Sequence, residues 1–238
     1  MIRLAVSGTY SSGKTFTVMA LSHYTGVPRT LAKTIREIMP DAVPGKALWE
    51  VTPAEFLQLA MRRHVGRAVH EATMPDGFIS DGSSLQEWIY GAVRVRYGMN
   101  PSATAHLAPV PRAELSAEML FFEQVVAQYG HAFKQHVAQS FDAVVHLRNE
   151  LGILGDGHRP MNQDFRDECD TMLLDTLTEI GVPHHVVGGP VRERLTRIAE
   201  LFDLPRVRSA DEAIELASAE YARLDLRLET ERAKPALA

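Results

Sequence analysis

The sequence predicts an α/β fold in which a parallel β-sheet is sandwiched between helices. Three observations carry this prediction. Short apolar runs alternate with longer stretches of helical periodicity, the pattern of strands joined by crossover helices. The first apolar run, Ile2–Ser7, ends at Gly8 and opens into a helix, as a buried parallel strand does. Glycine-rich or charged segments follow the apolar runs at Gly8–Thr15, Asp81–Ser84 and Arg148–Arg159, and ligands of such folds gather at the carboxyl ends of the strands.

After the first strand, Gly13 to about Tyr24 reads as a helix stopped by Gly26, since glycine accepts the left-handed conformation that ends helices. Val27–Thr30 is a candidate second strand, and Leu31–Met39 a helix ending before Pro40. Asp41–Glu50, with Pro44 and Gly45, is a loop. Thr52-Pro53-Ala54-Glu55 opens a helix towards Thr73, with a threonine cap, proline at the first position and glutamate closing a capping box. Gly77–Asp81 is a core strand ending in a carboxylate, and Leu85–Tyr97 is helical. Gly98–Arg112 carries three prolines and reads as a loop, long enough to suspect a function.

Ala113–Gln139 is a long helix with Leu115, Met119, Phe122, Val126, Tyr129, Phe133 and Val137 at helical spacing. Asp142–Leu147 is a strand, Gly152–Pro160 a glycine-rich loop, Asp164–Ile180 a helix and His184–Val187 the last strand. Pro190–Phe202 is helical, and Ser209 caps a final charged helix to about Glu231. Residues 1–205 thus form the main domain, with a lid at about 151–167, and residues 206–238 a C-terminal helical extension.

Hydrophobic residues make up 45% of the 238 and charged residues 23%, the balance of a soluble globular chain. No apolar run reaches the roughly 18 residues of a membrane span, so no membrane partner is expected. The formal net charge of −5 argues against a nucleic-acid surface, which is normally basic. The one cysteine, Cys169, excludes a disulfide framework and fits a reducing, cytoplasmic compartment. It is either a reactive thiol or a buried filler; no motif surrounds it. The scattered histidines lack zinc-ligand spacing.

The strongest chemical signal is Gly8-Thr9-Tyr10-Ser11-Ser12-Gly13-Lys14-Thr15, which satisfies the Walker A pattern G-x-x-x-x-G-K-[ST]. Gly8 and Gly13 suit backbone conformations that other residues resist. Ser11 and Ser12 lie in the turn whose N–H groups form a nest for phosphate oxygens. The helix that follows aims its positive end at the same place. Lys14 supplies a charge for the β and γ phosphates, and the Thr15 hydroxyl a ligand for Mg²⁺. A P-loop NTPase binding ATP and Mg²⁺ follows.

Asp81 ends the Phe78–Asp81 run beside this loop. It is a metal-side carboxylate, a general base for an acceptor hydroxyl, or a plain helix cap; Ser83 and Ser84 read as caps. In the glycine-rich lid, Arg159, and beyond it Arg166, are cations for the charge that grows on a transferring phosphoryl group. Asp156 either positions Arg159 or caps the loop. On the acceptor side, Arg29, Lys33 and Arg36 would share a helix face if the helix starts early. There they could read an anionic acceptor, with Glu37 on a sugar hydroxyl. Arg94 and Arg96 reach the acceptor or favour a helix C-terminus. Trp49, Trp88 and Tyr90 read as core before they read as stacking groups.

The phosphate loop, the Ser80-Asp81-Gly82-Ser83 strand end and the Asp156-Gly157-His158-Arg159 lid, in that order, resemble the nicotinamide-riboside-kinase-like branch of P-loop AAA-type ATPases and kinases. The helix from Arg166, the strand His184–Val187 and Gly188-Gly189 with Arg192 or Arg194 extend the resemblance over roughly residues 1–203. It implies an ATP- and Mg²⁺-dependent phosphotransferase related to nucleoside and nucleotide kinases. It also implies Lys14 and Thr15 on ATP and Mg²⁺, Asp81 at the reacting centre, Arg159 on the phosphates and the turn holding Gly189 near adenine. The chain departs from the riboside kinases at Val27-Pro28-Arg29-Thr30-Leu31-Ala32, where they offer a Glu-Tyr-Ala-Arg-like motif, so the acceptor does not follow from the resemblance.

Two functional readings stand. One is a kinase acting on a small hydroxyl- or phosphate-bearing metabolite, most simply a nucleoside or nucleotide. The other is a regulatory ATPase whose nucleotide state controls binding to a macromolecule. The charged C-terminal helix either covers the sheet edge or mediates homodimerisation.

Overall fold

The computed structural model describes residues 2–30, 33–100, 108–152 and 162–224. Four strands, β1 (Arg3–Ser7), β2 (Phe78–Asp81), β3 (Ala143–Leu147) and β4 (His184–Val187), form one sheet in the order β2-β1-β3-β4. Every pairing is parallel, with Leu4 opposite both Ile79 and Ala143 and Val144 opposite His184. The carboxyl ends of all four strands therefore share one edge, and the segments that follow them meet there.

The pleat sends alternate residues to opposite faces. Leu4, Val6 and Val145 face α1 (Lys14–Thr25), α7 (Val191–Leu201) and α8 (Ala210–Tyr221). Ala5, Phe78 and Val144 face α4 (Ser84–Tyr97), α5 (Ala117–Ser140) and α6 (Gln163–Glu179). A third cluster lies outside the sheet, where α2 (Ile35–Ala42) and α3 (Pro53–Ala72) pack on α4 and α5 through Met39, Phe56, Leu59, Phe122 and Val126. Each such fully buried side chain contributes roughly 1.5–3 kcal/mol of apolar transfer, and this cluster holds α3 beside the strand ends.

Several elements differ from the sequence expectation. Val27–Thr30 makes only a bridge, Arg29 to Ile79, at the outer edge of β2. Pro28 accepts from the Ile79 N–H at 2.8 Å but has no N–H to return, so no ladder develops. The helix expected over Leu31–Met39 begins at Ile35 and runs through Pro40 to Ala42. Its start is fixed by the Thr34 cap and Glu37, which accepts from the Thr34 N–H at 2.7 Å. A late start leaves Pro40 near the end, where the lost hydrogen bond interrupts little. The Asp41–Glu50 loop contains a 3₁₀ turn at Leu48–Glu50. The long helix starts at Ala117 with Ser116 as its cap, after a short 3₁₀ turn at Arg112–Glu114.

The Thr52 capping box forms as expected, with the Glu55 N–H donating to Thr52 Oγ1 at 3.2 Å. Ser209 likewise caps α8. Most of the expected lid and the chain beyond residue 224 lie outside the described residues. Among the described residues no helix is long and apolar enough to cross a membrane, and no group of three or more His, Cys, Asp or Glu side chains is placed to hold a metal ion. Cys169 is fully buried, and burial pushes its thiol well above the ordinary value. It is a core residue.

Candidate functional site

The loop between β1 and α1 is shaped by its glycines. Gly8 has φ +152° and Gly13, the cap of α1, φ +78°, while Ser11 takes φ +61°. A Cβ on Gly8 would stand 2.4 Å from Ser12 Oγ, so the close turn needs glycine there. The Ser12 hydroxyl is buried and has no hydrogen-bond partner. Such an orphan in a loop of inward-facing N–H groups is what a phosphate oxygen would satisfy.

The first residues of α1 reach the end of β2. Lys14 Nζ donates to Asp81 Oδ1, and Thr15 Oγ1 donates to Asp81 Oδ2 at 2.8 Å. Burial works to raise the Asp81 carboxyl, but Lys14, the Thr15 hydroxyl and Arg67 outweigh it and hold the group below the usual carboxylate range. Asp81 is thus an ionised acceptor, bound to the two side chains that the motif offers to phosphate and metal. One hydroxyl and one carboxylate suit Mg²⁺, which takes few protein ligands and completes its shell with water and phosphate oxygens.

The strand end itself is held from behind. Arg67 of α3, fully buried, donates to Ser80 Oγ at 2.9 Å and to the Asp81 and Gly82 carbonyls at 3.0 Å. On the other side, Arg194 of α7 donates to the Ser12 and Gly189 carbonyls, each at 2.7 Å. The Gly189 N–H donates to Glu150 at 2.7 Å. Gly189, with φ +87°, is therefore tied to the phosphate loop through one arginine.

A pocket of 190 Å³ lies over the loop, bordered by Gly8–Phe16 with Arg63, Tyr90 and Tyr221. A second, of 160 Å³, adjoins it and shares Tyr10, Arg63 and Tyr90. Its walls are Ile35, Leu48, Phe56 and Leu59, and its charged groups are Arg63, Glu87 and Arg94. Tyr10 and Tyr90 stack at 4.6 Å where the two meet. Glu87 and Arg94 are buried. Glu87 pairs with Arg63 at 3.2 Å and stands 3.8 Å from Arg67.

The acceptor-side residues expected from the sequence are scattered. Arg94 does border the second pocket, with its guanidinium 4.8 Å from the Phe56 ring and 5.4 Å from Phe165. Arg29, Lys33 and Arg36 do not share a helix face, because Arg29 and Lys33 precede α2. The Arg29 guanidinium pairs with Glu220 of α8, and Glu37 is occupied by the Thr34 cap, accepting from its hydroxyl at 2.9 Å. Arg166 is buried and donates to the Leu151 carbonyl at 2.9 Å and Asn149 Oδ1 at 2.7 Å; Asn149 in turn is hydrogen-bonded to Thr9 of the phosphate loop. Arg159 lies outside the described residues. Trp88 packs over Gly130, where a Cβ would stand 2.6 Å from its ring, while Trp49 is 39% exposed. Arg63, Glu87, Arg67 and Tyr221 were not legible as site residues: in sequence they read as helix-surface charges and one residue of an appended helix.

The AAA domain model matches residues 3–194. The chain belongs to the AAA domain family. No curated protein matches the sequence. Among solved structures this AAA domain is similar to NadR protein in complex with NR, at 15% identity and a TM-score of 0.58, over 87% of this chain and 53% of that one. The chain thus spans about half the length of that protein. It is also similar to deoxyadenosine kinase from M. mycoides, seen with bound dCTP at 13% identity and with products dCMP and dCDP at 14%. Both of those matches have a TM-score of 0.54 and cover 85% of this chain and 99% of the other. The fold is therefore that of a P-loop NTPase of kinase-like form.

Proposed function

We propose that this AAA domain is an ATP- and Mg²⁺-dependent phosphotransferase whose acceptor is a nucleoside, a nucleotide or a hydroxyl-bearing metabolite of that size. The observation that carries the reading is the junction of the two pockets. The phosphate-loop pocket meets, at Tyr10, Arg63 and Tyr90, a second, partly apolar pocket. A regulatory ATPase has no need of a second, partly apolar pocket beside its γ-phosphate position. The structural likeness to deoxyadenosine kinase agrees with this reading.

In this reading Gly8–Thr15 holds the triphosphate, with Lys14 on its β and γ oxygens. Thr15 and Asp81 would hold Mg²⁺, which would supply charge neutralisation for the transferring group. The apolar walls and the stacked Tyr10–Tyr90 pair receive a planar acceptor. The Arg63–Glu87 pair, half-buried at Arg63 and buried at Glu87, offers one donor and one acceptor edge, suited to a group that carries both, such as a base or an amide. A hydroxyl of the acceptor forms the new bond to the γ-phosphorus as the bond to the ADP oxygen breaks. Asp81, on the metal side, orients that hydroxyl, and the hydroxyl proton passes to water as the new bond forms. Arg159 supplies a cation for the charge in flight, and Arg166 positions the foot of the segment that carries it.

The test is ADP formation from Mg-ATP across a panel of nucleosides, nucleoside monophosphates and sugar-like alcohols, with Lys14→Ala as the blank. One acceptor class raising ADP formation well above background is the expected result. ATP binding with no stimulation by any member would overturn the reading in favour of a regulatory ATPase.

A further inference from the structure

The phosphate-loop pocket has a wall that comes from outside the matched family region, which ends at residue 194. That wall is Tyr221, the last residue of α8. Its ring packs edge-on against Phe16, with centroids 5.9 Å apart and planes at 76°, and Phe16 borders the same pocket.

The end of α8 is fixed by several independent contacts. Ala213 and Ala217 are fully buried in the core that α1 shares. Glu220, next to Tyr221, accepts from Arg29 and pairs with His23 at 3.1 Å. Upstream, the Val207 N–H donates to the Tyr24 carbonyl at 2.9 Å and Arg208 donates to the His23 carbonyl at 3.0 Å. Arg29, at the edge of the sheet, thus serves to seat α8. A held aromatic ring loses little freedom when a ligand packs on it.

The two rims of the pocket come from opposite faces of the sheet. Tyr90 packs with the α4–α6 side, Phe16 and Tyr221 with the α1–α7–α8 side. A triphosphate seated with its γ end towards Lys14, Asp81 and the second pocket would extend its nucleoside towards the opposite rim, at Phe16 and Tyr221. We propose that Tyr221, backed by Phe16, is a stacking face for the base of the bound nucleotide, so that the appended helix completes the nucleotide site. The inference rests on the reading of Gly8–Thr15 as that site.

Isothermal titration of the full chain with Mg-ATP and with Mg-tripolyphosphate tests it, because tripolyphosphate fills the loop without a base. Wild-type protein is expected to bind ATP more tightly than tripolyphosphate. Tyr221→Ala is expected to weaken ATP binding roughly tenfold, the scale of a lost base–aromatic stack, and to leave tripolyphosphate unchanged. Tyr221→Phe, which keeps the ring, is expected to behave as wild type. Unchanged ATP affinity in Tyr221→Ala overturns the inference and leaves the loop reading intact. An equal loss for both ligands also overturns it, since the ring would then only brace the loop. Wild-type protein that binds neither ligand overturns the loop reading, and the inference with it.

Discussion

Glu87 of α4 lies 3.2 Å from Arg63 of α3, in the wall where the phosphate-loop pocket meets the second pocket. Arg67, one helical turn further along α3, stands 3.8 Å from the same carboxylate and carries the end of β2 on its guanidinium. One buried acid therefore links the acceptor pocket to the strand that delivers Asp81.

Truncating the pocket side of this link should separate the two substrates. Arg63→Ala leaves Glu87 beside Arg67, so the fold persists. It removes one edge of the acceptor site, and the charged hydrogen bond lost with it is worth roughly 1.5–3 kcal/mol. The expected result is a fall of about a hundredfold in kcat/KM for the acceptor, with a smaller rise in KM for ATP, because Arg63 borders both pockets. Steady-state kinetics with each substrate varied in turn checks it.

Lys14→Ala should keep the fold and lose turnover by on the order of a hundred- to a thousandfold, the scale of removing one preorganised charge at a reacting centre. Far-ultraviolet circular dichroism and ADP release, measured on the same preparation, separate the two effects.

The Lys14–Asp81 pair should also be visible in the nucleotide-free protein as acid sensitivity. The folded carboxyl is held below its unfolded value of about 3.9, with Lys14 the leading cause working against burial. The stability it contributes is complete above the unfolded value and is lost as pH falls through the folded value. Lys14→Met removes the cause, so urea midpoints between pH 6 and pH 2 should fall less steeply in the variant than in wild type. Parallel curves would contradict the assignment.

How much of this was legible in the sequence depended on how far apart the partners lie. The loop geometry at Gly8–Thr15 and the caps at Thr52 and Ser209 are local, and local residue types dictate them. Arg29 and Arg63 show the other case. Each reads as a surface cation among neighbours in sequence. Their roles are set by Glu220 and Glu87, 191 and 24 positions away, and no periodicity announces such pairs. The late start of α2 is intermediate, because the Thr34–Glu37 capping signal is present in the sequence but Pro40 argues against it. Tyr221 was invisible as a site residue because only the packing of α8 on α1 brings it to the loop.

Burial of aromatic hydroxyls gives a further check. Burial pushes the Tyr10 phenol up to about 12, and Tyr97 likewise, while Tyr90 lies well above its ordinary value. These groups are raised in the folded state, so the stability they contribute is present below about pH 10, the unfolded value, and is lost as pH rises through the folded values. Ultraviolet titration of the native protein should show three of the six tyrosines ionising late. Release of all six in one step near pH 10 would mean that the Tyr10–Tyr90 stack is open.

Packing at Gly130 is tested by Gly130→Ala. The new methyl would meet the Trp88 ring at 2.6 Å, and overpacking of this kind costs typically 1–3 kcal/mol. A lower urea midpoint with a red-shifted tryptophan emission is expected.

The most direct measurement of the central claim follows the γ-phosphoryl group itself. Protein incubated with Mg-ATP labelled at the γ position and a panel of nucleosides and nucleotides is resolved by chromatography. Label transferred to one acceptor class, and absent with Lys14→Ala, is the expected result. Label released only as inorganic phosphate with every acceptor would contradict a phosphotransferase.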